Sequence, residues 1–410
     1  MPSVTVPIGP QHPALKEPAS FLISLQGEKI DATDVRLGYN HRGIEKACEQ
    51  RTYIQDLYLI ERICGICSHS HTTCFITAAE EVAGVQVPPR GLYIRTLVAE
   101  LERVHSHLLW LGVAGHEIGF DTLLMYTWRD REIVMDLLAM LTGNRVNYGI
   151  NTMGGVRRDF TKEQLAEVRK SMDVFEERTK YYIQIAATEP TLAKRLGGVG
   201  SLSHDDAVRL GAVGPTARAS NVDRDMRRDD PCLAYKDLSF KVITDNHNDV
   251  FGRTLVRVGE LMESYQLIRQ IIDKMPEGPV KGKAPRRVPA GEAICRYEAP
   301  RGEDIHFVKG NGTDKPERVK VRAPTMANLG SMGKMLQNNN LADVPNIIAA
   351  IDTCFSCTDR AIEVRDLSRG STDTLAWDEL RLRGIEWWRR EAGVDFGLLN
   401  QKLNQKLAAR

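Results

Sequence analysis

The chain has 410 residues, and its 55 basic against 54 acidic residues leave a formal net charge of +1. This near-neutral balance excludes the marked excess of lysine and arginine with which proteins bind nucleic acids or anionic membranes nonspecifically. No apolar run reaches the roughly 18 to 20 residues of a membrane helix, and the first residues lack a signal-peptide pattern, so we expect a cytoplasmic protein that reaches a membrane only through partner subunits.

The predicted elements follow one another in blocks. Short apolar segments in residues 1–40 predict a small N-terminal β-sheet. Apolar residues at three- and four-residue steps then predict long amphipathic helices over about 91–112, 120–142, 161–189 and 247–274. Residues 276–325 are rich in Pro and Gly with β-type stretches, which predicts a β insertion. We therefore expect a mainly α fold with small β parts: a long helix bundle with an N-terminal β-sheet and a β insertion near 280–325.

The spacing of the cysteines carries more information than their number. Eight cysteines are too few for a disulfide framework in a chain of this length. Four form two C-x-x-C pairs, Cys64 with Cys67 and Cys354 with Cys357, whose first members are 290 residues apart (354 − 64). The others are interpreted as small buried hydrophobic residues or inert thiols (Cys48, Cys74, Cys232 and Cys295).

Four thiolates form a soft ligand set that suits zinc, iron or nickel rather than magnesium or calcium. A zinc ribbon usually brings its pairs within about 15 to 20 residues, and a thioredoxin-like pair opens a helix in a βαβ unit. The separation of 290 residues and the helical context match neither pattern well. The residues alone favour one shared four-thiolate centre, with separate zinc or redox sites and coincidence as alternatives.

The surroundings of both pairs resemble the large subunit of [NiFe] hydrogenases. Residues 61–71 read E-R-I-C-G-I-C-S-H-S-H and residues 352–360 read D-T-C-F-S-C-T-D-R, similar to the family motifs R-[IV]-C-G-[IV]-C-x3-H and D-P-C-x-x-C, with Thr353 in place of proline. Further segments resemble both the group 4, energy-converting membrane-associated hydrogenases and the quinone-site subunit of respiratory complex I (9–13, 142–145, 154–159, 214–220 and 223–227). Complex I subunits lack the cysteines, so the resemblance is to the hydrogenase branch.

The resemblance implies a nickel–iron centre whose iron carries CO and two cyanides. All four cysteines would hold nickel, and Cys67 and Cys357 would also bridge to iron. Cys354 would be the first proton acceptor. His71 would hydrogen-bond near a bridging sulfur, Asp352 opens the second motif, and the cyanides would be contacted by Arg301 and by the segment Pro324-Thr325. A surface arginine and an ordinary turn are the alternatives for the last two.

Three more residues are assigned by the resemblance. Glu17, 47 residues before Cys64 (64 − 17), matches the glutamate that gates proton transfer in hydrogenases; the alternative is a solvent-exposed side chain. Glu45 resembles the glutamate that binds a structural magnesium, although the usual C-terminal histidine partner is not evident. His12 is expected in a polar proton route, where complex I holds quinone.

The implied function is reversible reduction of protons to H2 with electrons from ferredoxin, formate or CO oxidation, coupled to ion translocation. Because no further cysteine cluster remains for an iron–sulfur centre, electrons must pass through a small subunit with at least one [4Fe–4S] cluster. Other hydrophilic complex-I-like subunits and antiporter-like membrane subunits are the further expected partners. The alternatives are a complex-I-like quinone or sulfur reductase subunit, and a non-catalytic scaffold of such a complex.

The last 50 residues (410 − 360) form a separate question. We expect one unit over 1–360, whereas 361–410 resembles the extension of formate-hydrogenlyase-type large subunits that is removed once nickel is bound. Cleavage would then follow Arg360. The alternative is a retained arm in which Asp373 caps a helix running from Thr374 through Trp387.

Overall fold

The computed structural model describes residues 3–358, 362–366, 370–375 and 377–394. The chain divides into two units: the first comprises the residues up to Arg36 together with Ile44–Thr358, and the second comprises Leu37–Gly43 together with the residues from Asp359 onward. Among the described helices, none is both long enough and apolar enough to cross a membrane.

Helices dominate the first unit, which confirms the predicted fold class. They are α1 (Ile44–Cys48), α2 (Tyr53–Glu61), α3 (Ser68–Ala83), α4 (Pro89–Glu117), α5 (Asp121–Thr142), α6 (Lys162–Thr188), α7 (Pro190–Leu196), α8 (His204–Arg209), α9 (Pro215–Arg218), α10 (Met226–Asp229), α11 (Val250–Lys274), α12 (Pro324–Leu336), α13 (Val344–Ala350) and α14 (Phe355–Thr358). The strands are β1 (Ser3–Ile8), β2 (Ser20–Gln26), β3 (Lys29–Arg36), β4 (Asn151–Thr152), β5 (Gly155–Val156), β6 (Gly291–Ala299), β7 (Gly302–Gly310) and β8 (Arg318–Arg322).

Two small sheets lie where the sequence predicts them. The N-terminal sheet is an antiparallel meander in the order β1-β2-β3, and its middle strand buries Phe21 and Ile23 completely. The insertion is a second antiparallel meander, β6-β7-β8. Helix α3 packs against β6 and β7, so the chain that follows the first cysteine pair rests on the insertion.

Helix α4 differs from its prediction in length and in character. It has 29 residues and passes through Gly112, where the sequence predicts its end. A Cβ at Gly112 would lie 2.5 Å from Thr127 Oγ1 and 2.7 Å from Trp128 Cδ1, so the missing side chain lets α5 pack directly on α4. The expected solvent-facing side is also absent, because its charged residues are fully buried (Arg95, Glu100, Glu102 and Arg103). These charges are paired inside the protein, as Arg95 is with Glu80, rather than hydrated.

The remaining long helices agree with the sequence to within three residues. A capping box between Thr161 and Gln164 starts α6. The side chain of Asp249 caps α11, and Gly143 in the left-handed conformation ends α5.

The second unit contains an antiparallel hairpin of β9 (Ile362–Asp366) and β10 (Ser371–Leu375), followed by α15 (Trp377–Ala392). The predicted helix start at Thr374 is wrong: Thr374 pairs with Glu363, and Asp373 pairs with Val364 instead of capping a helix. Alternating β-branched residues in both segments favour strands over a helix. The predicted cleavage position at Arg360 lies outside the described residues.

Candidate metal centre

The two C-x-x-C pairs meet at one buried point. The four cysteines are 3 to 4% exposed, and their Sγ atoms all lie within 4.8 Å of one another (Cys64, Cys67, Cys354 and Cys357). Cys354 Sγ is 3.4 Å from Cys64 Sγ and 2.7 Å from Cys357 Sγ, and Cys67 Sγ is 3.7 Å from Cys357 Sγ. This geometry favours a single shared centre over two separate sites.

Helix termini hold both pairs in place. Cys64 and Cys67 occupy the turn between α2 and α3, and Cys67 directly precedes α3. The second pair surrounds the start of α14, and the amide of Cys354 donates a 3.1 Å hydrogen bond to Thr325 Oγ1. Pro324 and Thr325 open α12, so the predicted Pro-Thr segment does lie at the cysteines.

The ionisation of each thiol depends strongly on the neighbouring thiols. Hydrogen bonds from Cys354, Cys357 and Cys67 hold the pKa of the Cys64 thiol well below its usual value. Burial, reinforced by the neighbouring thiols, raises the pKa of Cys357 well above its usual value. All four groups can therefore ionise together only beside a cation, and a soft metal ion satisfies this need.

Arg301 clamps the turn that leads into the second pair. Its Nε donates to the Asp352 carbonyl at 2.7 Å, and its Nη2 donates to Asp352 Oδ1 at 2.8 Å. Asp352 has a φ of 56°, a left-handed conformation that costs energy for a residue with a side chain. The clamp thus holds the turn in which Thr353 replaces the family proline. Arg301 Nη1 is buried without a hydrogen-bond partner among the described residues.

The position of Arg301 depends on a close approach by Gly214. Gly214 has a φ of 65°, and a Cβ there would collide with the Arg301 carbonyl oxygen and lie 2.5 Å from Gly302 Cα. Only glycine fits both the conformation and the space. The segment 214–220, which carries part of the family resemblance, therefore supports the β6–β7 turn that contains Arg301.

Glu17 reaches the second cysteine pair from the loop between β1 and β2. Its Oε2 accepts from the Ser356 amide at 2.8 Å, and its Oε1 accepts from the Ser356 hydroxyl at 2.5 Å. Burial raises the pKa of Glu17, and the negative charge of Cys64 raises it further. These contacts do not support the alternative of a solvent-exposed glutamate. Its role in proton transfer stays a prediction.

His71 lies beside one of the two sulfurs that the resemblance predicts to bridge the metals. Its Nε2 lies 3.3 Å from Cys357 Sγ. On the other side of the ring are two residues that the sequence reasoning missed, Asp304 and His306. They are two positions apart on the buried face of β7, so strand alternation was the available signal.

Glu102 is a third residue that the sequence reasoning missed. Its Oε1 accepts from the His69 amide at 2.6 Å, and its Oε2 accepts from the Ser70 amide at 3.0 Å and from the Ser70 hydroxyl. A carboxylate from α4 therefore caps the first turn of α3, for which Cys67 supplies no capping side chain. Burial raises the pKa of Glu102 to about 8.

Two predicted site residues are not joined to the thiols by any contact of the described residues. Glu45 binds Lys320 Nζ and the Val321 amide, each at 3.0 Å, which occupies both carboxylate oxygens. His12 is exposed, and its Nδ1 accepts from the Ala14 amide at 3.2 Å. A magnesium ion at Glu45 and a proton route through His12 stay predictions, and the contacts of Glu45 do not favour the ion.

Comparison with known proteins finds relatives among the hydrogenases and the subunits of respiratory NADH dehydrogenase. The description "Respiratory-chain NADH dehydrogenase, 49 Kd subunit" matches residues 117–288 and 284–360, and "Nickel-dependent hydrogenase" matches residues 42–112. The chain is 45% identical over 379 residues to the membrane-bound hydrogenase subunit alpha of Pyrococcus furiosus, covering 88% of this chain and 89% of the relative. It is 39% identical to the carbon monoxide-induced hydrogenase of Rhodospirillum rubrum, covering 88% and 100%.

Two further relatives widen the range of complexes. Formate hydrogenlyase subunit 5 of Escherichia coli is 37% identical over 93% of this chain and 67% of its own length. A chain in the solved structure of the membrane-bound sulfane sulfur reductase, an archaeal respiratory membrane complex, superposes with a TM-score of 0.83 at 32% identity, covering 87% of this chain and 98% of that one.

Proposed function

Since the chain belongs to the family that unites nickel-dependent hydrogenases with the 49 kDa subunit of respiratory NADH dehydrogenase, we propose that it is the catalytic subunit of a multisubunit, membrane-bound [NiFe] hydrogenase of group 4. The reaction is the reversible reduction of two protons to H2. The observation that carries the proposal is the convergence of four buried cysteine sulfurs from two segments 290 residues apart. Because relatives of the 49 kDa type belong to the same family, family membership alone does not distinguish the two functions, and the proposal rests on the thiols.

The residues around the thiols fit a nickel–iron group with CO and two cyanides. When bound, such a group supplies the heterolytic splitting of H2. The four cysteines would hold this group, Cys64 and Cys354 through nickel alone and Cys67 and Cys357 through both metals. The unpaired Nη1 of Arg301 offers a buried donor for one cyanide. Thr325, which already accepts from the Cys354 amide, has its hydroxyl proton left for the other.

Proton transfer falls to Cys354 and Glu17. Cys354 would accept the proton released from H2, and Ser356, two residues later, carries both hydrogen bonds to Glu17. A carboxyl group whose pKa is raised towards neutrality exchanges protons more readily near pH 7 than an ordinary glutamate does. Glu17 would therefore be the group that receives the proton after Cys354.

Electrons require partner subunits. The described residues contain one four-cysteine group, which the catalytic centre uses, so a small subunit with a [4Fe–4S] cluster would deliver them. Ferredoxin, formate or CO would be the upstream reductant; formate and carbon monoxide appear in the names of two relatives. Complex-I-like hydrophilic subunits and antiporter-like membrane subunits would place the chain on the inner face of the cell membrane and couple the reaction to ion translocation.

A second candidate function is reduction of sulfane sulfur or quinone. It is favoured by the structural similarity to a chain of the membrane-bound sulfane sulfur reductase. In that case the four thiols would hold no nickel–iron group.

Metal analysis and infrared spectroscopy of the purified complex separate these functions. We expect one nickel per subunit and the absorption bands of iron-bound CO and cyanide. Replacing any one of the four cysteines with serine should abolish H2 turnover, because a serine oxygen is too hard to replace a thiolate on nickel. An intact complex that lacks nickel and the infrared bands favours the reductase or the scaffold. Full H2 turnover in any one serine variant contradicts the shared centre.

A further inference from the structure

A second group of ligand-type side chains lies behind Cys357. His71 Nδ1, His306 Nε2 and Asp304 Oδ2 form a triangle with sides of 3.1, 3.1 and 3.2 Å. All three side chains are at most 1% exposed. His71 lies in the second turn of α3, and Asp304 and His306 project from β7, so the triangle is built by the packing of a helix on a strand.

The hydrogen bonding of this group is incomplete. No hydrogen of the described residues is aligned on either carboxylate oxygen of Asp304, although the ring nitrogens of His71 and His306 lie 3.1 and 3.2 Å from its Oδ2. His71 Nε2 faces the sulfur of Cys357 at 3.3 Å. A neutral imidazole carries one N–H, and if that N–H donates to the sulfur, Nδ1 turns a lone pair towards Asp304. A buried carboxylate and a lone pair facing each other repel unless a positive charge, either a proton on the ring or a metal ion, lies between them.

We propose that His71, Asp304 and His306 bind a zinc ion, separate from the four-thiolate centre. Two imidazoles and one carboxylate are a recurrent protein ligand set for zinc, with a fourth position left for water. Ligand atoms about 2.0 to 2.1 Å from a tetrahedral zinc lie about 3.3 Å from one another. The observed triangle is already close to that size.

The ion would also fix the hydrogen bond that His71 gives to Cys357. A metal-bound imidazole donates its other ring N–H to an acceptor outside the metal site, which selects one tautomer and one ring orientation. Here that acceptor is the Cys357 sulfur. The proposal uses only the triangle and its unpaired carboxylate, so it stands whether or not the thiols hold nickel.

Zinc titration of the full chain tests the site. The chain is freed of metal and titrated with Zn²⁺, and the ions that survive dialysis are counted. We expect two equivalents for the wild type, one at the thiols and one at the triangle, and one equivalent for Asp304→Asn and for His306→Gln. His69→Gln is the matched control, because His69 is an equally buried histidine on α3 that contacts the Arg95 carbonyl instead, and it should keep two.

Cobalt identifies which site was lost. With Co²⁺, the thiolate-to-metal charge-transfer band reports the four cysteines alone, so it should be unchanged in both triangle variants and weaker in Cys354→Ser, which keeps three thiolates. Far-UV circular dichroism establishes that each variant is folded, and His306→Gln answers the question if Asp304→Asn does not fold. A wild type that retains one equivalent, or folded triangle variants that retain two, would overturn the proposal.

Discussion

Glu17 and Ser356 are joined by two hydrogen bonds, from the Ser356 amide at 2.8 Å and from its hydroxyl at 2.5 Å. This contact links residues 339 positions apart and holds a carboxyl group with a raised pKa at Ser356, which lies between the two cysteines of the second pair in sequence. Replacing Glu17 therefore tests the proposed proton route without removing a thiol.

Glu17→Gln should block proton exchange while leaving the metal content and the CO and cyanide bands nearly unchanged. The amide keeps the size of the side chain but cannot relay a proton at neutral pH. Hydrogen–deuterium exchange catalysed by the purified complex is the measurement. Glu28→Gln, at an exposed position between β2 and β3, is the control and should behave like the wild type. Retention of more than about a tenth of the wild-type rate, a barrier increase of under roughly 1.4 kcal/mol, would show that another route dominates.

Gly214→Ala should displace Arg301. The new methyl group would collide with the Arg301 carbonyl and with Gly302 Cα, and the residue would also carry the strain of a positive φ. We expect H2 turnover to fall by at least about tenfold, with shifted cyanide bands, because the Arg301 side chain no longer reaches its position at the centre.

Gly198→Ala is the matched control for backbone strain. Gly198 has a φ of +72°, close to the +65° of Gly214, but a Cβ there meets nothing within 4 Å. Both variants should lose about 1 kcal/mol of stability from the unfavourable conformation. Only Gly214→Ala should lose activity and shift the infrared bands; equal effects of the two variants would mean that strain, and not the position of Arg301, matters.

Asp56 makes the stability of the protein depend on pH. It is fully buried in α2, no nitrogen or oxygen of the described residues donates to its carboxylate, and burial, partly offset by the Cys48 thiol, raises its pKa to about 8. Because the folded state holds the proton more tightly than the unfolded state, the contribution of this group is complete below about pH 4 and is lost as the pH rises through 8.

Between pH 5 and pH 8, the Asp56→Asn variant should therefore lose about 1 to 3 kcal/mol less unfolding free energy than the wild type does. The uncharged amide stays neutral across this range. Urea unfolding of the chain at both pH values is the measurement, with Asp31→Asn at an exposed position of β3 as the control. The same loss in Asp56→Asn and in the wild type would contradict the role assigned to Asp56.

The sequence predicts the parts of the site that are written in local motifs. The four cysteines, His71, Arg301 and Glu17 were found because family motifs and fixed spacings mark them. Glu102, Asp304 and His306 were missed because each acts across an interface between two elements, and the sequence does not show which buried charges of α4 and β7 face α3. The same reason explains why the solvent-facing side predicted for α4 is wrong. Its charged residues are buried, and partners such as Glu80 of α3 lie on other elements.

The last prediction concerns the chain after the second cysteine pair. Helix α14 ends at Thr358, whose hydroxyl donates to the Cys354 carbonyl, and the residues from Asp359 onward belong to the second unit. We expect a maturation protease to cleave after Arg360 once nickel is bound, so that the segment carrying Cys354 and Cys357 closes over the metal. The competing expectation is a retained arm, in which the exposed Trp387 and Trp388 of α15 pack on a partner subunit.

Intact mass spectrometry decides between cleavage and retention. The nickel-loaded subunit should have a mass well below the full 45.9 kDa and a C-terminus at Arg360, whereas the subunit from nickel-starved cells should keep the full mass. The nickel-starved sample is the control for unrelated proteolysis, because a cut that does not depend on the metal would appear in both. An active, nickel-loaded subunit at the full mass would rule cleavage out and leave α15 as a permanent contact surface.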